Sequence, residues 1–427
     1  YTGATFISAG TLGISSDANL GTAPSSAQTN QLVIGNGGNL YFYPVFTTAL
    51  NANRGITLDS GGGTFVVASS GISYAGVMAG TGSFTKSGSG SLTLSGANTY
   101  LGGSTLAAGT LKVGIASAGS LGSITSGALG TGDVVVASGS ALDLNGYNAL
   151  NGLSVSGTGI SSSGVVYNST ATPVTLWGPL TLTGDSSVIS TPGLTLNTVN
   201  GGVYALNATA GTGAGNGDLT FNGPVSFSGE NISTFTAARN ININQKIEST
   251  ATGTYPQLNV VLTAGNDITL SNNSYINTNG GNFYIGTVPS VGSDAVNSSG
   301  QNLTINQGSY INSGKGLVNI RVGGSISLPD NSTQTNAYAI SMLYDSTYPY
   351  PISNSSTTAI TYNYTQKTTN ISAGENITTA NTSSSYADIY SANDVSLTAK
   401  NIGSVSNPLQ ITGNVDPYGL VAAPTTA

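Results

Sequence analysis

The sequence predicts an all-β protein built as a parallel β-helix, a solenoid that lengthens by stacking coils. Short runs of Val, Ile, Leu and Tyr alternate with Ser, Thr and Asn throughout the 427 residues, which is typical of strands. Glycine occurs 60 times and, with asparagine, supplies turns that need a positive φ. No stretch shows a capped apolar period of 3.6 residues, so helices are not expected. Two internal repeats then point to stacked coils.

The first repeat links the beginning of the chain to a segment a hundred residues later. YTGATFISAGTLGIS (Tyr1–Ser15) returns as YLGGSTLAAGTLKVG (Tyr100–Gly114), and Leu32–Ile34 recurs as Val134–Val136. A repeated unit of strands and glycines is typical of a protein elongated by stacking. The second copy has a lead-in, Gly80–Tyr100, that the first lacks, so we expect a piece of a longer protein.

The second repeat has a period of 35 residues. NDITLSNNSYINTNGGNFYIG recurs as QNLTINQGSYINSGKGLVNIRVG, which aligns Tyr275 with Tyr310. In a parallel β-helix each coil lies about 4.8 Å from the next, so we expect these tyrosines at equivalent stacked positions. Leu, Ile, Val and Ala are expected inside, and Thr, Ser and Asn outside, with Asn amides bonded from coil to coil. A coil of about 20 residues is expected.

Composition divides the chain near residue 200. Residues 1–200 form a Gly/Ser-rich region, residues 201–416 an Asn/Tyr-rich region, and 417–427 a flexible tail. An irregular excursion is predicted near 331–364, because its prolines do not fit central strands. It is also the first candidate for a contact surface. The candidate surface-contact residues are its tyrosines: Tyr338, Tyr344, Tyr348, Tyr350, Tyr362 and Tyr364.

Charge argues against two classes of partner. Charged residues make up 6% of the chain, the net charge is −7, and the nine Lys and Arg are scattered. Neither nucleic acid nor an anionic membrane is therefore expected as a partner. No apolar run reaches the ~18 residues of a membrane helix, so membrane insertion of this segment is not expected. No signal peptide stands at the N-terminus, and we expect any such signal to be removed or to lie elsewhere.

Enzymatic chemistry is not expected. The chain has no His and no Cys, which excludes zinc sites and catalytic triads built on them. Two carboxylates suffice for glycan hydrolysis, and the closest pairs are Asp388 with Asp394 and Glu230 with Glu248. Most acids, such as Asp59, stand in turn sequences. We expect no catalytic residues, cofactor or metal, and a polysaccharide-degrading enzyme is the least favoured alternative.

Asn-x-Ser/Thr sequons are frequent. Chance explains many of them in a chain rich in these residues, and glycosylation is the functional alternative. The candidate attachment sites are Asn168, Asn207, Asn331, Asn354 and Asn376.

Two parts of the chain resemble known families. GTGSFTKSGSGSLTLSGANTYLGGSTLAAGTLKVG (Gly80–Gly114) closely resembles the passenger-associated repeat of bacterial autotransporters. From Asn216 to Gly413, phrases such as NGDLTFNGPVSF and LTAGNDITL are similar to filamentous-haemagglutinin-like exoproteins. These resemblances imply a right-handed parallel β-helix, exported across a Gram-negative outer membrane to the cell surface. Neither motif carries catalytic residues.

Two functional hypotheses follow. The first is a segment of a large secreted adhesin that acts in surface contact, as a stalk or in biofilm. Its partner would be a host or neighbouring-cell surface, through a glycan or protein receptor. The alternative is a structural subunit that associates with itself, end to end or laterally, into a filament, sheath or matrix.

Overall fold

A computed structural model describes two compact units, Tyr1–Gly223 (unit 1) and Pro224–Ala427 (unit 2). Of the predicted excursion at 331–364, residues 340–342 are described, and the predicted tail at 417–427 lies outside the described residues. The division near residue 200 stays a prediction about composition. The residues described are 1–46, 49–68, 71–211, 217–251, 258–286, 302–314, 316–329, 340–342, 369–380, 389–391, 395–404, 407, 409 and 411–413.

Unit 1 consists of short strands in which buried and solvent-facing residues alternate. Glycine-containing turns connect them, together with two single-turn 3-10 helices at Asp17–Leu20 and Ile160–Ser162. The strands β1 to β24 are Thr5–Ile7, Thr11–Ile14, Gln28–Ile34, Gly38–Phe42, Arg54–Leu58, Gly63–Val67, Ile72–Tyr74, Met78–Gly80, Phe84–Ser87, Ser91–Leu94, Ser104–Leu106, Gly109–Val113, Ala118–Ser120, Ser123–Ser126, Val134–Val136, Ser140–Asp143, Leu153–Gly157, Val166–Asn168, Val174–Leu176, Leu180–Ser190, Leu194–Leu196, Val199–Gly202, Leu206–Ala210 and Leu219–Phe221.

Unit 2 has three strands in each coil. A strand pairs in parallel with the strand three places later, from the first of the unit to the last that is described. The strands β25 to β43 are Val225–Phe227, Asn231–Ala237, Ile241–Ile243, Ile247–Ser249, Leu258–Ala264, Ile268–Leu270, Tyr275–Asn277, Phe283–Ile285, Leu303–Ile305, Tyr310–Asn312, Val318–Val322, Ile326–Leu328, Ile340–Met342, Thr369–Ala373, Asn376–Thr379, Ile389–Ser391, Val395–Thr398, Asn401–Ile402 and Ile411–Gly413.

Parallel pairing of this kind defines a parallel β-helix, so the predicted fold class is confirmed. Two described pairings in unit 1 are antiparallel: a hairpin between β13 and β14, and an isolated bridge between Asn98 and Gly127. Coil length varies more than expected. The coil from Phe84 to Ser104 takes 20 residues, whereas the coil from Tyr275 to Tyr310 takes 35, because the number of residues between consecutive strands differs.

The 35-residue repeat corresponds to one coil. Strand β31 pairs with β34 so that Tyr275 lies beside Tyr310. Their rings are 4.9 Å apart at the centroids and inclined by 5°, which is a stacked arrangement. The predicted register is confirmed.

The first repeat extends over two coils in each of its copies. In the first copy β1 pairs with β3 and β2 with β4; in the second copy β11 pairs with β15 and β12 with β16. The similarity of Leu32–Ile34 to Val134–Val136 is therefore a similarity between the second coils of the two copies. Gly10 directly precedes β2 and Gly109 begins β12, with φ of +73° and +71°, a conformation that glycine adopts without strain.

The core lies inside the coils. Strands such as β30 and β33 bury their first and third residues and turn the middle residue outward. Unit 1 also contains an internal row of aromatic rings. The centroid of Phe65 is 5.3 Å from those of Phe42 and Phe84, and Tyr100 follows at 6.1 Å from Phe84. All four side chains are almost inaccessible to solvent, so they contribute to the core rather than to a surface.

Candidate functional site

The tyrosines predicted as a contact surface cannot be placed in the fold. Their role in surface contact stays a prediction. All six lie outside the described residues: Tyr338, Tyr344, Tyr348, Tyr350, Tyr362 and Tyr364.

Asn168, the first predicted glycosylation site, serves the packing of unit 1. It is 2% exposed, and its Nδ2 donates to the carbonyl of Thr172 at 2.8 Å. Its Oδ1 accepts a hydrogen bond from the backbone N–H of Gly146 at 2.8 Å. The folded chain therefore uses both ends of this amide internally and does not present it to solvent.

The remaining sequons divide into two groups. Asn207 is exposed on β23, and Asn376 is half-buried on β39, where Asn401 Nδ2 donates to its Oδ1 at 2.7 Å. Asn331 and Asn354 lie outside the described residues. Glycosylation stays a prediction at these four positions, and of the two that are described Asn207 presents its side chain more openly than Asn376.

The acid pairs do not form a described catalytic centre. Asp388 and Asp394 lie outside the described residues. Glu248, on β28, forms an ion pair with Lys246 at 2.5 Å and accepts a hydrogen bond from Tyr275 Oη at 2.6 Å. Burial, followed by this bond and the Glu248 charge, raises the pKa of Tyr275. Within the described ranges no group of three or more Asp, Glu, His or Cys could hold a metal ion.

Aspartate and asparagine side chains connect successive coils. Asp267 Oδ1 accepts from both the backbone N and Nδ2 of Asn302, at 3.1 and 2.9 Å. Asn302 Oδ1 in turn accepts from the backbone N–H of Ser325 at 2.9 Å. Asp185 accepts from the backbone N–H of Ala205 in the same way at 2.9 Å. The predicted amide ladder is present, and these carboxylates hold the stack together.

One lysine is directed into the coil. Lys86 is fully buried, and its Nζ donates to the carbonyls of Ser87, Gly88 and Ala108 at 3.1, 2.7 and 2.8 Å. Ala108 belongs to the following coil, so the amine joins two turns. Burial lowers the pKa of Lys86 to about 8. The sequence indicates this orientation, because Lys86 is in the same alternating phase as buried Phe84, whereas composition alone does not distinguish Lys86 from the other scattered cations.

The outer face of one sheet in unit 2 carries a row of hydroxyls. Strands β30, β33, β36 and β39 stack in register, so that Thr269 pairs with Thr304, Thr304 with Ser327, and Ser327 with Thr378. These four residues are here called the hydroxyl column. Each is flanked by inward-facing Ile or Leu on at least one side, and Ser327 and Thr378 are exposed. Their spacing follows the stacking of the coils, about 4.8 Å.

The end of the hydroxyl column forms the base of a groove with a volume of about 550 Å³. Thr304, Ser327 and Thr378 line it, together with Asn306 and Gln307 from the turn after β33. The lining has no acidic, basic or aromatic side chain among the residues described there. The groove is therefore a neutral surface, rich in groups that donate and accept hydrogen bonds.

No helix in the described part of the chain is both long and apolar enough to cross a membrane.

The fold and the outward-facing residues define the class of protein: a parallel β-helix whose outer faces carry ladders of neutral polar side chains. Residues 1–14 and 84–113 match the family described as Passenger-associated-transport-repeat. The matched segments contain β1 and β2 in one copy and β9 to β12 in the other, in agreement with the first repeat of the sequence. Lys86 and the inward-facing Phe84 both lie within the second match.

The chain is also similar to the adhesin BmaC autotransporter of Brucella suis biovar 1 (strain 1330). The two sequences are 32% identical over 244 residues, which is 50% of this chain and 7% of the relative. The chain thus corresponds to a small part of that protein's length. No solved structure gives a significant match.

Proposed function

We propose that the chain is a non-enzymatic segment of a secreted adhesin, the passenger part of an autotransporter displayed at the surface of a Gram-negative bacterium. Its role is to carry a contact surface along a stack of coils. The observation that carries this proposal is the similarity to the BmaC adhesin autotransporter over half of the chain. The two passenger-repeat matches support the same export class.

The described side chains support a contact role over catalysis. Glu248 belongs to one of the two acid pairs. It forms an ion pair with Lys246 and accepts a hydrogen bond from Tyr275. The carboxylates of Asp185 and Asp267 bond to neighbouring coils. A hydrolase would need two carboxylates that face a common substrate. We propose the same surface role for residues 216–413. They resemble filamentous-haemagglutinin-like exoproteins, which are surface proteins of the same kind.

The proposal is tested by attachment of the purified full chain to cells. Beads coated with the chain are incubated with cultured epithelial cells and with bacteria, and attachment is counted against beads coated with the same chain after heat denaturation. We expect saturable attachment by the native chain that soluble native chain inhibits. Equal attachment by native and denatured chain would contradict an adhesin.

Electron microscopy of the purified chain distinguishes the structural alternative. Separate particles at the concentration used for attachment agree with an adhesin segment. Long uniform fibres formed without a partner would favour a subunit of a filament, sheath or matrix.

A further inference from the structure

We propose that the groove at the end of the hydroxyl column binds an extended neutral polysaccharide. This inference rests on the proposed function and deepens it, because it assigns a class of receptor to a defined place on unit 2. The groove is formed by consecutive coils at Thr304, Ser327 and Thr378. Its base therefore repeats along the stack, as sugar units repeat along a polysaccharide.

The hydroxyls of the groove retain hydrogen-bonding capacity. Ser327 Oγ and Thr378 Oγ1 are 3.4 Å apart, and Thr378 Oγ1 donates to the carbonyl of Ile326 at 3.4 Å. Both distances exceed the roughly 2.7–2.8 Å that is usual between oxygen donors and acceptors. A hydroxyl both donates and accepts, as the hydroxyls of a sugar do, so the two surfaces can exchange hydrogen bonds in either direction.

The walls provide a fixed frame for such a ligand. Asn306 Nδ2 donates to the carbonyl of Leu270 at 2.9 Å, which holds that side chain in place. Thr379 is 8% exposed and lies recessed in the lining, and Leu328 and Pro329, which are also buried, pack behind the polar lining and support it. Because the base residues belong to paired strands, little conformational entropy is lost on binding.

The lining chemistry argues against the other classes of ligand. Protein interfaces are enriched in aromatic residues, Met and Arg at their centres, and the described lining has none of these. Nucleic acid, anionic polysaccharide and anionic membranes require Lys or Arg, which the described lining residues also do not include. A neutral and polyhydroxylated chain is the ligand class that the groove favours.

The experiment compares two triple variants of the full chain that each remove three outward hydroxyls. The groove variant is Thr304→Ala with Ser327→Ala and Thr378→Ala. The control variant is Thr175→Ala with Thr195→Ala and Thr220→Ala, since these residues form a similar register in unit 1, outside the groove. Affinity electrophoresis and pull-down use cellulose, chitin, β-glucan, xylan and galactomannan as neutral probes. Alginate, heparin and phosphatidylserine vesicles are the anionic probes, and fibronectin is the protein probe.

We expect the unaltered chain to bind at least one neutral probe and the groove variant to bind it about tenfold more weakly, because several modest hydrogen bonds are lost together. The control variant should change binding less than about twofold. If the groove variant is poorly folded by circular dichroism, Ser327→Ile replaces it. Isoleucine suits a strand but fills the groove, and Thr195→Ile is the matched control.

Equal loss in groove and control variants, or binding only to anionic or protein probes, would overturn the inference. Attachment to cells separates its failure from that of the proposed function. If the chain attaches to cells but binds no neutral probe, the polysaccharide assignment alone is wrong. If it neither attaches to cells nor binds a probe, both are wrong.

Discussion

Two rows of aromatic residues lie on opposite sides of the coil. Phe84 and Tyr100 lie inside unit 1, where Phe84 contacts both Phe65 and Tyr100. In the 35-residue repeat Tyr275 and Tyr310 stack on the outside of unit 2. The difference follows from phase, because successive residues of a strand face opposite sides of the sheet. An aromatic residue can therefore be assigned to the core or to the outer surface only when the inward and outward alternation of its strand is known.

The largest effect should come from an inside ring. Phe84→Ala is expected to lower the free energy of unfolding by about 3–5 kcal/mol, because it leaves a cavity between Phe65 and Tyr100. Denaturant unfolding of the full chain measures the loss. Phe6→Ala is the matched control, since Phe6 is 69% exposed, and it should change stability by less than about 0.5 kcal/mol. Similar losses for the two variants would contradict the assigned phase.

The buried amine of the first repeat should make stability depend on pH. Burial disfavours the charged form of Lys86, so its pKa falls to about 8 from 10.5. Between pH 8 and pH 10 the unfolded chain then binds the extra proton, and the free energy of unfolding should rise by about 2 kcal/mol. Above pH 10 it should fall again, because burial raises the pKa of Tyr74 and Tyr100 and unfolding releases their protons.

Two lysine variants check the source of this rise. Lys86→Met should abolish the increase in the free energy of unfolding between pH 8 and pH 10. Denaturant unfolding at a fixed temperature and a series of pH values measures this. Lys246→Met should preserve it, because Lys246 is 39% exposed and pairs with Glu248 on the outside of the coil. A rise that survives in Lys86→Met would show that another group causes it.

The outer ladder should give the smallest effect. A double-mutant cycle of Tyr275→Ala and Tyr310→Ala is expected to give a coupling energy of about 0.5–1.5 kcal/mol, the usual range for an aromatic pair. Tyr275→Asp should cost more than Tyr310→Asp, because the new carboxylate would lie beside Glu248. The 35-residue repeat by itself predicts an equal loss for the two variants. A coupling energy near zero would mean that the stacked rings do not stabilise the stack.

The sequence predicts those features of the fold that depend on local alternation and on repetition. The offset between Tyr275 and Tyr310 sets the pairing of β31 with β34, because identical coils align identical residues. The amide ladder at Asp267 and Asn302 follows from the same offset. Coil length is harder to predict, since turns of different length connect strands that remain in register.

The candidate site is less accessible from sequence. The row of hydroxyls is visible in the middle residues of LTI, ISL and ITT, but the groove around Ser327 is lined by residues from three consecutive coils, which only the folded stack brings together. The environment of Lys86 likewise depends on carbonyls from two turns, Gly88 in its own coil and Ala108 in the next. Such features need tertiary positions that composition and spacing do not specify.

We propose that the side chains inside the coils set the stability of the chain and that those outside make contact with a partner surface. Attachment of folded chain to epithelial cells, measured well below the unfolding temperature, tests this most directly. We predict that Phe84→Ala, though less stable, attaches as the unaltered chain does. The variant with Thr304→Ala, Ser327→Ala and Thr378→Ala should retain its unfolding temperature and lose attachment. The opposite pattern, with attachment lost in Phe84→Ala and unchanged in the groove variant, would contradict the account.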